Sequence, residues 1–158
     1  MSNHIATYLN DHLAGSESAI ELLRGLENAY PDTSEATLAS SLREEFADEQ
    51  RQLREVMQSA GIGVSTLRKV AGMIGSKLSE LKLTVDDHAS GKFRLLESLE
   101  MVSVGIAGKR LLWHALECAS KTNERLAVLD YRALEAQAKN QRERIESLRI
   151  QNAVALFH

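Results

Sequence analysis

Apolar residues recur along this chain at spacings of three and four, separated by short turn-forming stretches. The clearest stripe is Leu95, Leu99, Val102, Ile106, Lys109, Trp113 and Leu116, which share one face of an α-helix. All but Lys109 are apolar, so the lysine points where its neighbours place the core. A first helix is predicted from Ser2 to Asn28, with the seam Ile5, Leu9, His12, Ser16, Ala19, Leu23 and Leu26. It stops at Tyr30-Pro31, because the residue before proline disfavours the α region. Asp32-Thr33-Ser34-Glu35 matches a capping box and opens a second helix reaching about Ser59. Its seam is Leu38, Leu42, Glu45 with Phe46 beside it, Glu49, Leu53, Val56 and Ala60, and Gly61-Ile62-Gly63 is its predicted stop.

Ser65 to Leu81 reads as a shorter helix with the stripe Leu67, Val70, Ile74, Leu78 and Leu81. Gly72 and Gly75 weaken it, each by about 1 kcal/mol relative to alanine, which suits a crossover lying on the bundle. Thr84 to Gly91 is a polar break containing Asp86, Asp87, His88 and Ser90. The helix carrying Lys109 is predicted over Lys92 to Ala119. A last helix starts near Ser120 to Asn123, with the stripe Ala127, Tyr131, Leu134, Ala138, Gln141, Ile145 and Leu148. The apolar end, Ala153 to Phe157, either extends that helix or covers a neighbour. Four long helices and a crossover predict an all-α, antiparallel four-helix bundle, one domain over residues 1–158.

Polar residues interrupt the other stripes as well: His12, Glu45, Glu49 and Gln141. Pairing the first two helices about Pro31 sets Leu26 opposite Leu38, Ala19 opposite Glu45 and Ser16 opposite Glu49, with His12 about one turn from Glu49. A histidine and carboxylates at mid-bundle suggest a metal, with His12, Glu45, Asp48 and Glu49 as the candidate ligands. A carboxylate-bridged di-iron site needs more, namely a Glu from each of two helices and a Glu-x-x-His from each of the others. The second helix offers only Glu45-x-x-Asp48 and Glu49-x-x-Gln52, and the last offers the neutral amides Gln137, Asn140 and Gln141. The favoured expectation is a structural polar core in which Lys109 pairs with Glu45 or Glu49, joined by Gln141 and His12, with no metal and no catalytic residue. Buried charges are normally found paired.

At 158 residues, 44% hydrophobic and 26% charged, the chain can bury a real core. A net charge of -3 gives no positive field for nucleic acid. No apolar run approaches the roughly 20 residues that span a bilayer, and no secretory leader is visible at the N-terminus, so a cytoplasmic protein is expected. The lone Cys118 cannot form an internal disulfide; it reads as a small, partly buried residue with no base visible nearby. His88 beside Asp86 and Asp87 supplies too few ligands for a cation by itself. Arg142, Arg144 and Arg149, interleaved with Glu143 and Glu146, read as a solvated helix face. Gly105 and Gly108 read as positions of close helix approach.

The segments Tyr8-Leu9-Asn10-Asp11-His12-Leu13-Ala14-Gly15-Ser16 and Gly105-Ile106-Ala107-Gly108-Lys109-Arg110-Leu111-Leu112-Trp113, with the helix order, resemble the bacterial ferritin-like superfamily. The resemblance is to its small stress-associated bundles with a helical crossover (the DUF892-type group). In metal-binding members the second helix carries His-x-x-Glu-Thr-x-x-Gln. The matching positions here are Glu45-x-x-Asp48-Glu49-x-x-Gln52, where only Asp48 and Gln52 come near. The resemblance thus implies the fold and a stress-related role, while the departure argues against inherited iron oxidation. The expected function is a non-catalytic bundle acting as a homodimer or through a protein partner. One alternative is an iron-binding oxidase with a reduced site. A second alternative is a carrier of an apolar ligand, held between the crossover helix and the bundle.

Overall fold

The computed structural model describes residues 3–65 and 88–158. Among them are four α-helices, α1 (Asn3–Ala29), α2 (Ser34–Ser59), α3 (His88–Ser120) and α4 (Tyr131–Leu156), and one 3-10 turn at Glu124–Leu126. No strand occurs among the described residues, and the helices pack as a bundle. The crossover predicted over 65–81, apart from Ser65, and the acidic pair Asp86 and Asp87 lie outside the described residues. None of the described helices is long and apolar enough to cross a membrane.

Local chemistry sets the helix ends. Thr33, not Asp32, is the N-cap of α2: its hydroxyl accepts from Ala36 N at 3.1 Å. Asp32 instead takes a left-handed conformation, φ 61, within the turn. The capping box does not form: with Thr33 as the cap, Glu35 falls one position too early, and its carboxylate accepts from Ser34 Oγ at 3.1 Å and from Asn152 Nδ2 on α4 at 2.8 Å. Gly61 closes α2 with φ 70, and Ile62 N reaches back to Met57 O at 2.8 Å, the Schellman pattern. The helix carrying Lys109 begins at His88, so the polar break expected up to Gly91 is shorter than predicted. The last helix begins at Tyr131, later than its periodicity suggests. Asn123 caps the 3-10 turn, and Asp130 caps α4 through Ala133 N at 3.0 Å. Ala127 is therefore an exposed loop residue and not part of the α4 stripe. The C-terminal apolar residues extend α4, which ends at Leu156, and Phe157 is 74% exposed.

The main pairings are α1 with α2 and α3 with α4, and α1 also packs on α3. Between α3 and α4 the polar rungs run Glu117–Arg132, Ser103–Glu146 and Glu100–Arg149. Arg43–Glu27 and Gln50–Ser16 join α2 to α1. Tyr30 Oη donates to Gly91 O at 2.7 Å, tying the end of α1 to the start of α3.

The core is divided in two. One apolar cluster gathers Leu22, Leu26, Leu42, Phe46, Leu99, Val102, Ile106 and Ile145. The other gathers Leu9, Leu13, Leu53, Met57, Trp113, Leu116, Tyr131 and Leu134. Along α3, Ile106 belongs to the first and Trp113 to the second, with Lys109 between them. Every apolar member of that stripe is buried.

Candidate functional site

Lys109 lies at the boundary of the two clusters with its side chain 15% exposed. Its ammonium donates to Glu49 Oε2 and to Gln141 Oε1 at 2.6 Å, and it stands 3.7 Å from the centroid of the Phe46 ring. Two oxygens and one aromatic face thus surround the three N–H bonds of the ammonium. Burial pushes the Lys109 ammonium below its usual range, against the opposing pull of Glu49.

Gln141 extends this contact into a layer. Its Nε2 donates to Glu49 Oε1 at 2.8 Å and to Glu45 Oε2 at 2.9 Å. Arg144 then grips both oxygens of Glu45, at 2.8 and 2.6 Å. Burial works to raise the Glu45 carboxyl, but the hydrogen bonds from Arg144 and Gln141 outweigh it and hold the group below its ordinary value. Two carboxylates, one ammonium and one guanidinium leave the layer electrically balanced, which is what makes its burial tolerable. Gln141 is completely buried and makes its bonds at both ends of the amide.

The structure therefore brings Glu45, Glu49, Lys109 and Gln141 into one network. His12 stands apart. Its ring packs edge-on against Tyr8 with centroids 4.7 Å apart, and burial lowers its pKa despite the nearby Asp11. Asp48 faces solvent and pairs with Arg51. The donors consequently do not fit the di-iron centre that a ferritin-like resemblance implies. An ammonium sits against Glu49, a guanidinium holds Glu45, and Asp48 points away from both.

Arg144 was expected on a solvated face, yet it completes the layer with its side chain 32% exposed. Its place one turn beyond Gln141 on α4 was the available signal. Arg149 likewise binds Glu146 at 2.9 Å and Glu100 at 3.2 Å instead of standing free.

On its other side the layer borders a cavity of about 420 Å³ between α1, α2 and α3, partly open to solvent. Leu22, Leu53, Val102, Leu112 and Trp113 make most of its wall apolar, while Glu49, Lys109 and His12 supply polar points. Gly15 on α1 and Gly105 and Gly108 on α3 also line it. Among the described residues, a Cβ at any of these glycines would meet nothing within 4 Å. Close helix approach is thus not what Gly105 and Gly108 provide; they enlarge an opening. Glycine inside a helix costs about 1 kcal/mol against alanine, and no contact with the described residues offsets that cost at these positions. The cavity volume lies within the range of small-molecule sites, about 300–1,000 Å³.

No protein-family model, curated protein or solved structure matches this chain.

Proposed function

We propose that this chain is a non-enzymatic binding protein, which holds one small, mainly apolar molecule in the cavity between α1, α2 and α3. The observation carrying this reading is the glycine-lined space beside a fixed polar layer. The apolar wall supplies affinity by burying the ligand's surface, and the layer supplies a polar edge to orient it. Lys109 and Glu49 are already engaged with each other, which suits an orienting role better than acid–base chemistry. Among the described residues, those of α1, α2 and α3 line the space, and the crossover expected beside the ligand lies outside them. The frame proposed for this site is an antiparallel, ferritin-like bundle. The rungs Glu117–Arg132, Ser103–Glu146 and Glu100–Arg149 support it, because α4 partners advance as α3 partners recede.

The chain's single tryptophan, Trp113, lines the cavity and reports on it directly. Titration with an uncharged naphthalene derivative is expected to give a saturable change in Trp113 fluorescence. Gly108→Leu, which fills the opening, is expected to abolish it without loss of helical content. An unsaturable response, or one that Gly108→Leu leaves unchanged, counts against the cavity as the binding site.

A second reading, association as a homodimer, draws support from Val104 and Leu111. These stand two turns apart on α3 and are 61% and 69% exposed. Sedimentation of the parent chain against Leu111→Glu tests it: a dimer that the substitution does not weaken means another surface, and a monomer at all concentrations removes this reading.

A further inference from the structure

Near the end of α3, His114, Glu117 and Cys118 occupy positions i, i+3 and i+4, one helical turn apart on a single face. Glu135 enters the same place from α4. Ligand atoms of His114, Glu117 and Glu135 all lie within 4.8 Å of one another. Glu135 Oε2 is 3.7 Å from His114 Nδ1, and Cys118 Sγ is 4.0 Å from His114 Nε2. One imidazole thus sits between a carboxylate and a thiol, with a second carboxylate alongside. Cys118 is exposed, not partly buried as expected, and the nitrogen base that its sequence neighbourhood did not advertise stands one turn before it.

We propose that His114, Glu117 and Glu135 bind one divalent transition-metal ion of the zinc class, with Cys118 beside the imidazole. The donor chemistry selects the class: a neutral ring nitrogen with two carboxylates suits zinc, cobalt or manganese better than magnesium or calcium, which prefer oxygen alone. The distances allow it. Zinc holds such donors at about 2.0–2.2 Å, so tetrahedral ligands stand roughly 3.5 Å apart. Rotamer changes in the exposed His114 and the half-buried Glu117 and Glu135 close the remaining gap, and α3 and α4 need not move. Metal-bound histidines engage their second ring nitrogen as well, and here each nitrogen faces a candidate partner.

Two guanidiniums compete for the carboxylates. Arg132 Nε holds Glu117 Oε1 at 2.8 Å, and an Arg110 nitrogen is 3.6 Å from Glu135 Oε1. Neither is a strong rival. Arg132 is 82% exposed, and surface ion pairs of this kind are weak and screened, whereas a three-ligand ion is not displaced by a mobile side chain. The site is independent of the cavity, whose lining shares none of these residues.

The test uses the full chain, free of any tag and stripped with a chelator, titrated with zinc against a chromophoric competitor. One ion per chain is expected. His114→Ala and Glu135→Gln should each weaken binding roughly tenfold or more, while apo-protein melting changes little, because His114 is exposed and glutamine keeps the shape of the half-buried Glu135. Arg132→Ala should tighten binding, since it frees Glu117. Glu100→Gln, on the same helix pair but remote, should leave binding alone. Zinc should raise the melting temperature of the parent chain and not that of His114→Ala. No saturable binding with zinc in large excess, or binding that His114→Ala and Glu135→Gln both leave intact, overturns the proposal.

Discussion

On one flank of Lys109 stand Glu49, Gln141, Glu45 and Arg144, linked by hydrogen bonds of 2.6 to 2.9 Å. On the other flank, at the same depth, stand Gly15, Gly105 and Gly108 around a cavity of about 420 Å³. The first flank is densely hydrogen-bonded, with Arg144 Nε its one buried atom lacking a partner among the described residues, and the second is short of atoms. Charge balance on the α2–α4 side explains how the α1 side can stay open: once two carboxylates and two cations balance one another, α1 need contribute no charge. The mid-helix residues of α1 are accordingly small, with Gly15, Ser16 and Ala19 in succession on the inner side. A rigid polar wall next to an empty apolar space is an arrangement suited to holding a ligand in one orientation.

The largest expected effect comes from breaking the hydrogen-bonded flank. Glu49→Ala leaves the Lys109 ammonium buried with only Gln141 and the Phe46 ring. Its cost should be about 3–5 kcal/mol, lowering Tm by roughly 10 °C or more. Replacing both partners, as in Glu49→Leu with Lys109→Met, should recover most of that loss, because a buried ion pair is often replaceable by apolar residues. Thermal melts of the three proteins decide the matter, and a Glu49→Ala chain as stable as the parent would mean that the ammonium finds water instead.

The open flank should respond in the opposite direction. Gly108→Ala adds a Cβ that meets none of the described residues and removes the glycine penalty, so denaturant unfolding should show a gain of about 1 kcal/mol. A loss there would mean that neighbouring side chains close over the space in solution. Glu49 and Gly108 line the same cavity, and Gly108 adjoins the Lys109 that Glu49 binds, so the departure of the double substitution from the sum of the single ones measures how strongly the flanks are coupled.

Acid should separate the flanks further. Glu45 is held below its ordinary value of 4.5 in the folded chain. Its contribution is fully present above that value and disappears as pH falls through the folded value, since the unfolded chain takes up the proton first. Stability measured below about pH 4.5 should therefore fall less steeply in Glu45→Gln than in the parent. The smallest effect belongs to His12, whose pKa burial lowers from 6.5. The unfolded chain binds a proton there before the folded one does, so stability declines as pH drops below 6.5. His12→Gln should flatten that part of the profile, and an unchanged slope would mean that His12 stays solvated.

Periodicity made much of this molecule legible. The spacing that put Lys109 among Leu95, Leu99, Val102, Ile106, Trp113 and Leu116 is a local property of α3, and Gln141 follows from the same rule on α4. Gly61 as the stop of α2 needed only the conformational freedom of glycine. Other features were not local. Thr33, and not Asp32, is the cap, and Glu35 is bound by Asn152, 117 residues away. Arg144 looked like one charge in a mixed face until α2 brought Glu45 beneath it. Gly105 and Gly108 read equally well as close contact or as open space, since sequence records the missing side chain and not what faces it.

Side-chain periodicity and turn chemistry act over a few residues, so the sequence alone determined the helices and the inward-pointing polar positions. Which of those positions met was decided only by packing. Helix rotation and register set distances across the bundle, and a shift of one residue turns a side chain by about 100°. That is why Glu49 reaches Lys109 while His12, on an equally regular seam, does not. It is also why His114, Glu117 and Glu135, unremarkable along the chain, converge at one point on the surface.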